Sequence, residues 1–101
     1  MIVRVFRATV QSGSADEFED VVRNITLTRF RTAPGLISWF AGRPLGAAGE
    51  FCVVTVWEDL DSLQRFAGPD WQREAIIPAD ALPLLRDTVL HHYELFGSSS
   101  D

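Results

Sequence analysis

A chain of 101 residues can fold as one domain around a single hydrophobic core. Nine basic and 14 acidic residues give a net charge of −5 without any basic run, so we expect no nucleic acid partner. The single cysteine, Cys52, excludes a disulfide framework and a cysteine pair with metal-ligand spacing.

The first predicted element is a strand over residues 2–10, where β-branched and aromatic side chains dominate. Arg4 and Arg7 stand on opposite faces of it, because successive side chains of a strand alternate. The order of elements places this strand centrally in the sheet, where an arginine is costly unless it is paired. Glu94 on the neighbouring strand is the expected partner in an ion pair, and recognition of an anion is the alternative.

A helix is predicted to begin at Ser14, because Ser14 and Glu17 have the spacing of a capping box. Apolar side chains then recur at helical spacing over residues 18–25, which indicates an amphipathic helix on a sheet. The next apolar residues depart from this stripe. Two explanations remain open: a kink near Thr26, or a second apolar face that contacts something outside the monomer.

Two more strands are predicted over residues 36–43 and 51–57, and a hairpin loop at residues 44–49 joins them. Both faces of the first strand are largely apolar, and the second strand is a continuous apolar run. Such patterns are typical of strands that are covered on both sides. Helices on one side of a sheet supply one cover, so we expect a second subunit to supply the other.

A short helix is predicted after Asp59 or Asp61, either of which can serve as its N-cap, and it ends before Gly68. Residues 70–76 and 79–86 are candidates for further helical turns. These elements precede the last predicted strand.

Residues 89–96 form the predicted fourth strand. The order strand, helix, strand, strand, helices, strand is the βαββαβ pattern of the ferredoxin-like α+β fold, with a four-stranded antiparallel sheet. Residues 1–97 are therefore predicted to form one domain. The polar residues 98–101 form a tail that we expect to be disordered.

Seven Phe, three Trp and one Tyr are many aromatic residues for a chain of this length. A small domain covers them poorly, so we expect a partner subunit or an apolar or aromatic ligand. No stretch approaches the ~20 apolar residues that cross a bilayer, and the N-terminus lacks the apolar core of a signal peptide. We therefore expect a cytoplasmic protein without membrane contact.

Candidate functional residues are few, because the sequence lacks the common phosphate-binding, dinucleotide-binding, zinc-protease and serine-hydrolase motifs. His91 and His92 are adjacent on a strand and point to opposite faces, so they cannot chelate one metal together, and no metal site is expected. One of them facing an apolar pocket could accept a proton from a phenol, or could bond a core partner. Trp39, Trp57 and Trp71 could line a pocket for a flat ligand, or could be ordinary core residues.

Three stretches form a characteristic combination: residues 54–60, Leu63 with residues 66–68, and the closing residues 92–95. In this combination the chain resembles the antibiotic biosynthesis monooxygenase superfamily over nearly its whole length. The resemblance implies a homodimer whose two sheets meet face to face as a dimeric α/β barrel. It also implies an apolar pocket between sheet and helices in each subunit.

One branch of this superfamily oxidises polycyclic phenols to quinones with O₂ and without metal or flavin. The chain is similar to it in Trp57, whereas that branch's strand asparagine and its tyrosine fall on Val53 and Leu63. The resemblance implies a monooxygenase without cofactors that acts on a small phenol or quinol, with His92 as a candidate base. The substrate contacts that we expect are Trp57, Phe6, Trp39, Phe66 and Arg4.

Another branch degrades haem with an asparagine, a tryptophan and a histidine, which fall by spacing on Phe6, Phe66 and Ile76. Phenylalanine cannot ligate iron, so haem degradation in that manner is not expected. Two alternatives to the oxygenase remain. One is a binder of a small apolar molecule without catalysis, and the other is a haem-associated protein with His91 or His92 as axial ligand.

Overall fold

The computed structural model describes residues 1–46 and 49–99. Its strands are β1 (Ile2–Val10), β2 (Leu36–Gly42), β3 (Phe51–Trp57) and β4 (Leu85–Glu94). They form one antiparallel sheet in the spatial order β2-β3-β1-β4. Helices follow β1 and β3, so the arrangement is ferredoxin-like and the predicted α+β fold is confirmed.

A π-helical segment interrupts the helix after β1. The helix α1 (Ala15–Val21) continues into the π-helical residues Val22–Thr26 and then into α2 (Leu27–Phe30). A π turn contains more residues than an α turn, because its hydrogen bonds join residues i and i+5. The residues after it are rotated away from the α-helical stripe, and Phe30 is buried as a result. Of the two explanations for the departure from the stripe, a kink near Thr26 or a second apolar face, neither foresaw this π-helical segment, which ends at Thr26.

The two predicted helix starts differ in outcome. Asp59 is extended, with φ −154° and ψ 172°, and its carboxylate accepts from the Ser62 N–H at 2.8 Å, which caps α3 (Leu60–Ala67). The prediction of a capping box at Ser14 and Glu17 is wrong. Ser14 has φ −102° and ψ 7°, outside the extended region that a capping side chain requires, and its side chain makes no capping bond.

The segment between α3 and β4 is mostly irregular, and each of the ranges 70–76 and 79–86, predicted to contain helical turns, has a single turn. In the first range the Glu74 N–H donates to the Asp70 carbonyl at 2.9 Å. In the second, Leu82–Leu84 forms a 3₁₀ turn with a proline at its start. The strand β4 begins at Leu85, earlier than predicted, because it pairs along the full length of β1. The irregular residues lie over the sheet, where the Arg4 side chain binds two of their backbone carbonyl groups.

Burial alternates along β3 and defines the core side of the sheet. Phe51, Val53, Thr55 and Trp57 are buried on the side of the helices, and the three residues between them are half-buried on the other side. The main core cluster joins Phe51 to residues of β1, α1 and the segment before β4: Ala8, Phe18, Ala81 and Leu84. The apolar run of β3 thus has only one face against the helical layer.

The opposite side of the sheet is largely apolar, although it also carries Arg7 and His91, and the helices of the described chain do not cover it. Four valines on the two central strands form a half-buried patch. Two aromatic residues on the edge strands flank the patch, with 65% and 51% of their surfaces exposed. These six residues are called the outer face: Val3, Val5, Val54, Val56, Phe40 and Tyr93.

The described range ends at Ser99, so part of the predicted tail, residues 98–101, lies outside it, as do residues 47–48 of the predicted hairpin loop. Leu95 follows β4 and donates from its N–H to the Met1 carbonyl at 2.9 Å, which continues the pairing of β4 with β1. Among the described helices, none is long and apolar enough to cross a bilayer.

Candidate functional site

A cavity of about 70 Å³ lies between the sheet and the layer that covers it. Arg4 and Phe6 of β1 and Val53 and Thr55 of β3 form its floor, because these residues pair across the two central strands. Three further phenylalanines form walls: Phe18, Phe30 and Phe66. The irregular segment after α3 closes the cavity with apolar side chains: Ala75, Ile76, Ile77, Pro78 and Ala81. The lining is therefore mainly aromatic and aliphatic.

Three positions that are distant in sequence converge on this cavity. Phe6 comes from the central strand, Phe66 from α3 and Ile76 from the segment after it. The ring of Phe66 packs on Trp57 at a centroid distance of 5.0 Å, which holds α3 against the sheet. All three side chains are apolar, so they can contact the surface of a ligand but cannot form a hydrogen bond with it.

Arg4 is the buried charge of the cavity, with 6% of its surface exposed. Its Nη1 donates to the Trp71 carbonyl at 2.7 Å and to His92 Nε2 at 2.9 Å, and its Nη2 donates to the Glu74 carbonyl at 3.1 Å. The predicted ion pair with Glu94 is wrong. Glu94 lies opposite Ile2 in the register, and His92 is the residue opposite Arg4.

Burial lowers the pKa of Arg4 to about 10, so the guanidinium remains charged at neutral pH. The pKa of His92 is lowered by burial first, and then by the charges of Arg4 and His91. Since a guanidinium has only donors, His92 Nε2 must accept, and the ring is neutral with its proton on Nδ1. His92 also meets the edge of the Trp71 ring at 4.9 Å.

The two histidines lie on opposite faces of β4, as predicted. His92 is half-buried on the helix side, where it meets Arg4. His91 is exposed on the other side, and its ring lies 6.4 Å from that of Tyr93. Of the two, His92 is therefore the one near the cavity.

Trp57 contacts two residues that line the cavity, Thr55 and Phe66. Its side chain is fully buried, and its Nε1 donates to Thr55 Oγ1 at 2.9 Å. This bond occupies one acceptor position of the Thr55 hydroxyl and leaves its proton for a ligand in the cavity. The indole itself is not among the described residues that line the cavity, so Trp57 acts on it through Thr55 and Phe66.

Trp39 borders a second space, an outer groove of about 360 Å³ beside the cavity. Its ring is 40% exposed and lies 6.0 Å from that of Phe30. At the groove, Arg43 binds Asp16 and Glu19, each at 3.0 Å, which ties the end of β2 to α1. Trp39 is therefore separated from the predicted site residues that line the cavity.

The size of the cavity bears on how a ligand enters. Its volume of about 70 Å³ is less than half of the ~150 Å³ of an apolar cavity that holds benzene, so a wall must move. Val22, in the π-helical segment, lines both the cavity and the outer groove. Phe18 and Val53 also line both spaces, and π-helical turns such as the one that contains Val22 are frequent at functional sites.

The structure separates the predicted site residues into groups. Arg4, Phe6 and Phe66, which are among the predicted substrate contacts, line the cavity. His92 and Trp57 contact residues that line it. The cavity thus has a polar end at Arg4 and an aromatic remainder.

Several cavity residues were not predicted. Thr55 could have been identified from the sequence, since it is a single hydroxyl within an apolar strand. Thr26 and Arg29 could not, because the direction in which their side chains point depends on the π-helical segment. Among the described residues, no cluster of three or more His, Cys, Asp or Glu side chains could hold a metal ion.

Comparisons with known proteins identify relatives of this fold. The family model described as antibiotic biosynthesis monooxygenase matches residues 1–76. A search of curated proteins finds no match.

Several solved structures share the fold. SnoaB, a cofactor-independent oxygenase from Streptomyces nogalater, has 23% identity and a TM-score of 0.72, with 99% of this chain and 97% of that chain covered. The heme-degrader MhuD from Mycobacterium tuberculosis has 23% identity and a TM-score of 0.73, with 97% and 98% covered. A putative antibiotic biosynthesis monooxygenase from Nitrosomonas europaea has 11% identity and a TM-score of 0.76, with 96% and 100% covered.

Proposed function

Since the chain belongs to the antibiotic biosynthesis monooxygenase family, we propose that it is a monooxygenase without cofactors that oxidises a small phenol or quinol with O₂. The observation that carries this proposal is the cavity itself. Aromatic and aliphatic side chains form most of its lining, and a buried cation, Arg4, lies at one end beside the Thr55 hydroxyl. This combination suits an aromatic ring that bears an oxygen substituent.

The proposed reaction needs no external reductant. The phenolate transfers an electron to O₂, the two radicals combine in a C–O bond, and cleavage of the O–O bond yields a quinone. One oxygen atom enters the product, and the other leaves as water with the two hydrogens that the phenol loses. The substrate thus supplies all the electrons for the reduction of O₂.

The residues of the cavity have separate roles in this proposal. Phe6 and Phe66 contact the ring and exclude water. Arg4 and Thr55 face the substrate oxygen. The substrate hydroxyl displaces the bond between Arg4 and His92, and the freed Nε2 of His92 accepts the phenol proton. Trp39 at the outer groove contacts a substrate that extends beyond the cavity.

The test is O₂ uptake by the purified chain with a panel of small phenols and quinols, in the presence of a metal chelator and without added cofactor. We expect equimolar O₂ uptake and quinone formation, and incorporation of one ¹⁸O atom from ¹⁸O₂. Panel members that bind without any O₂ uptake above the rate in buffer would contradict the oxygenase.

That outcome would favour the alternative of a binder of small apolar molecules. The specific observation behind this alternative is that Phe6, Phe66 and Ile76 present no polar group to a ligand. The haem-associated alternative requires that His92 Nε2 leave Arg4, or that His91 ligate from the other side of the sheet. A Soret band in the purified protein would support it.

We also propose that the chain is a homodimer that pairs through the outer face. Antiparallel sheets with one free side usually place polar residues there, whereas the four valines and two aromatic residues of the outer face dominate this side, on which Arg7 and His91 are also present. Pairing with a second copy covers this surface on both chains at once. The opposite side of the sheet keeps its cavity.

A further inference from the structure

We infer that the cavity binds its aromatic ligand as an anion, with a carboxylate or phenolate oxygen on Arg4 and the ring among the phenylalanines. The inference rests on the proposed function only in placing the substrate in this cavity, and it does not depend on any reaction. It specifies the class of substrate: an acidic aromatic molecule in preference to a neutral one.

The first argument is the missing counter-ion. Arg4 is 6% exposed, and its partners are two backbone carbonyls and a neutral imidazole. No carboxylate lies within ion-pair distance of it in the described part of the chain. A buried charge is costly unless an opposite charge compensates it. A bound anion would provide that compensation.

The second argument is the number of free donors. A guanidinium carries five N–H groups, and the three bonds of Arg4 use two on Nη1 and one on Nη2. One N–H group on Nε and one on Nη2 remain. These two nitrogens are bonded to the same carbon, which is the arrangement that donates two parallel hydrogen bonds to one carboxylate. In the described chain no fully buried side-chain nitrogen or oxygen lacks a partner, so Nε, which makes none of the three bonds, is not fully buried.

The third argument is the distribution of charge. The chain has 14 acidic residues and a net charge of −5, yet no described residue of the cavity lining is acidic. Two of its nine basic residues, Arg4 and Arg29, belong to that lining. A positive site with apolar walls attracts an anion and disfavours a cation.

The competing explanation is that Arg4 has only a structural role, in which it holds Trp71 and Glu74 over the sheet through their carbonyls. If its role is only structural, charged and neutral ligands of the same shape should bind equally well. The charge dependence of binding therefore separates the two explanations.

The experiment compares benzoate with benzamide, which have nearly the same shape and differ in charge, by calorimetric titration of the full chain at pH 7. We expect benzoate to bind at least ~10-fold more tightly, as for a charge-assisted hydrogen bond in a buried site. Equal affinity for the two probes in the native protein would overturn the inference. This comparison needs no variant.

Variants then assign the preference to Arg4. We expect Arg4→Gln to lose the preference for benzoate, and Arg31→Gln, the same change at an exposed arginine, to keep it. A folded Arg4→Gln protein that still prefers benzoate would also overturn the inference. A third probe, pentafluorophenolate, which is ionised at pH 7, distinguishes the head groups, because the tighter of the two anions identifies a carboxylate or a phenolate.

The outcome is separable from that of the proposed function, because benzoate has no hydroxyl and cannot undergo the proposed oxidation. A charge preference without O₂ uptake on any phenol contradicts the oxygenase alone. O₂ uptake on a neutral phenol without a charge preference contradicts the anion site alone.

Discussion

The guanidinium of Arg4 donates a 2.9 Å hydrogen bond to Nε2 of His92, and neither side chain has a carboxylate partner among the described residues. A guanidinium can only donate, so the imidazole is neutral and carries its proton on Nδ1. A catalytic base needs a lone pair that can accept a proton. On His92 that lone pair is the one on Nε2, and it accepts the hydrogen bond from Arg4. Proton transfer and anion binding in the cavity are coupled through this contact.

This contact makes His92 the first residue to vary. If His92 is the base, we expect both His92→Ala and His92→Gln to lower the turnover of a phenol substrate by at least ~100-fold in O₂-uptake assays. Glutamine can still accept a bond from Arg4, so retained turnover in that variant alone would make His92 a positioning residue. The matched control is His91→Gln, on the other side of the sheet, which should keep its activity.

The lowered pKa of His92 predicts that stability depends on pH. In the unfolded chain His92 takes up a proton near its usual pKa of 6.5, whereas in the folded protein it does so only at lower pH. The unfolded state therefore binds more protons in this window, and stability falls as the pH decreases through it. The pKa values of Glu19 and Asp59 are also lowered, from 4.5 and 3.8, so their effects arise in more acidic solution.

Urea unfolding between about pH 7.5 and pH 5 measures this dependence. We expect His92→Gln to flatten the pH dependence and His91→Gln to leave it close to that of the native protein. A native protein that becomes more stable on acidification over this range would contradict the neutral state assigned to His92.

The outer face predicts the state of assembly. Light scattering and native mass spectrometry should show a dimer at micromolar concentration. Val54→Lys places a charge in the centre of the valine patch and should give a folded monomer, because burial of an unpaired charge is costly. Gln64→Lys adds the same charge at an exposed position of α3 and should remain a dimer. A native monomer would contradict pairing through this face.

Most of the sheet could be predicted from the sequence, because side-chain alternation and β-branched content act locally. Alternation places Arg4 and Phe6 on one face of β1, whereas their position beside a pocket was implied by the family resemblance. The ion pair of Arg4 with Glu94 failed for a long-range reason. The pairing register with β4 places His92 opposite Arg4, and a register of two separate strands is not encoded in either strand alone.

The segment over the cavity could not be predicted, because tertiary contacts determine it. Trp71 and Glu74 have their carbonyls bound by Arg4, nearly 70 residues earlier in the chain, so local helix propensity does not decide their conformation. The π-helical segment was indicated only as an irregularity near Thr26. The packing of Phe30 against Trp39 and Phe66, which follows the segment in the chain, is visible only in the folded protein.

The bond from Trp57 to Thr55 predicts a coupled effect on stability. Thr55→Val keeps the shape of the side chain but leaves the buried indole N–H of Trp57 without an acceptor, so we expect a loss of about 1–3 kcal/mol in the free energy of unfolding. Thr55→Ser keeps the hydroxyl and should retain the hydrogen bond. Chemical unfolding of these variants measures the difference.

A double-mutant cycle with Trp57→Phe tests whether this loss comes from the hydrogen bond. Phenylalanine at position 57 has no side-chain N–H that needs an acceptor. Adding Thr55→Val to the Trp57→Phe protein should therefore lower the free energy of unfolding by well under ~1 kcal/mol, the smallest loss expected for Thr55→Val in the native protein. An equal cost in both backgrounds would mean that Thr55 stabilises the strand by packing alone. In that case its hydroxyl would not be oriented by Trp57, and the orientation of its proton toward a ligand in the cavity would lose its structural basis.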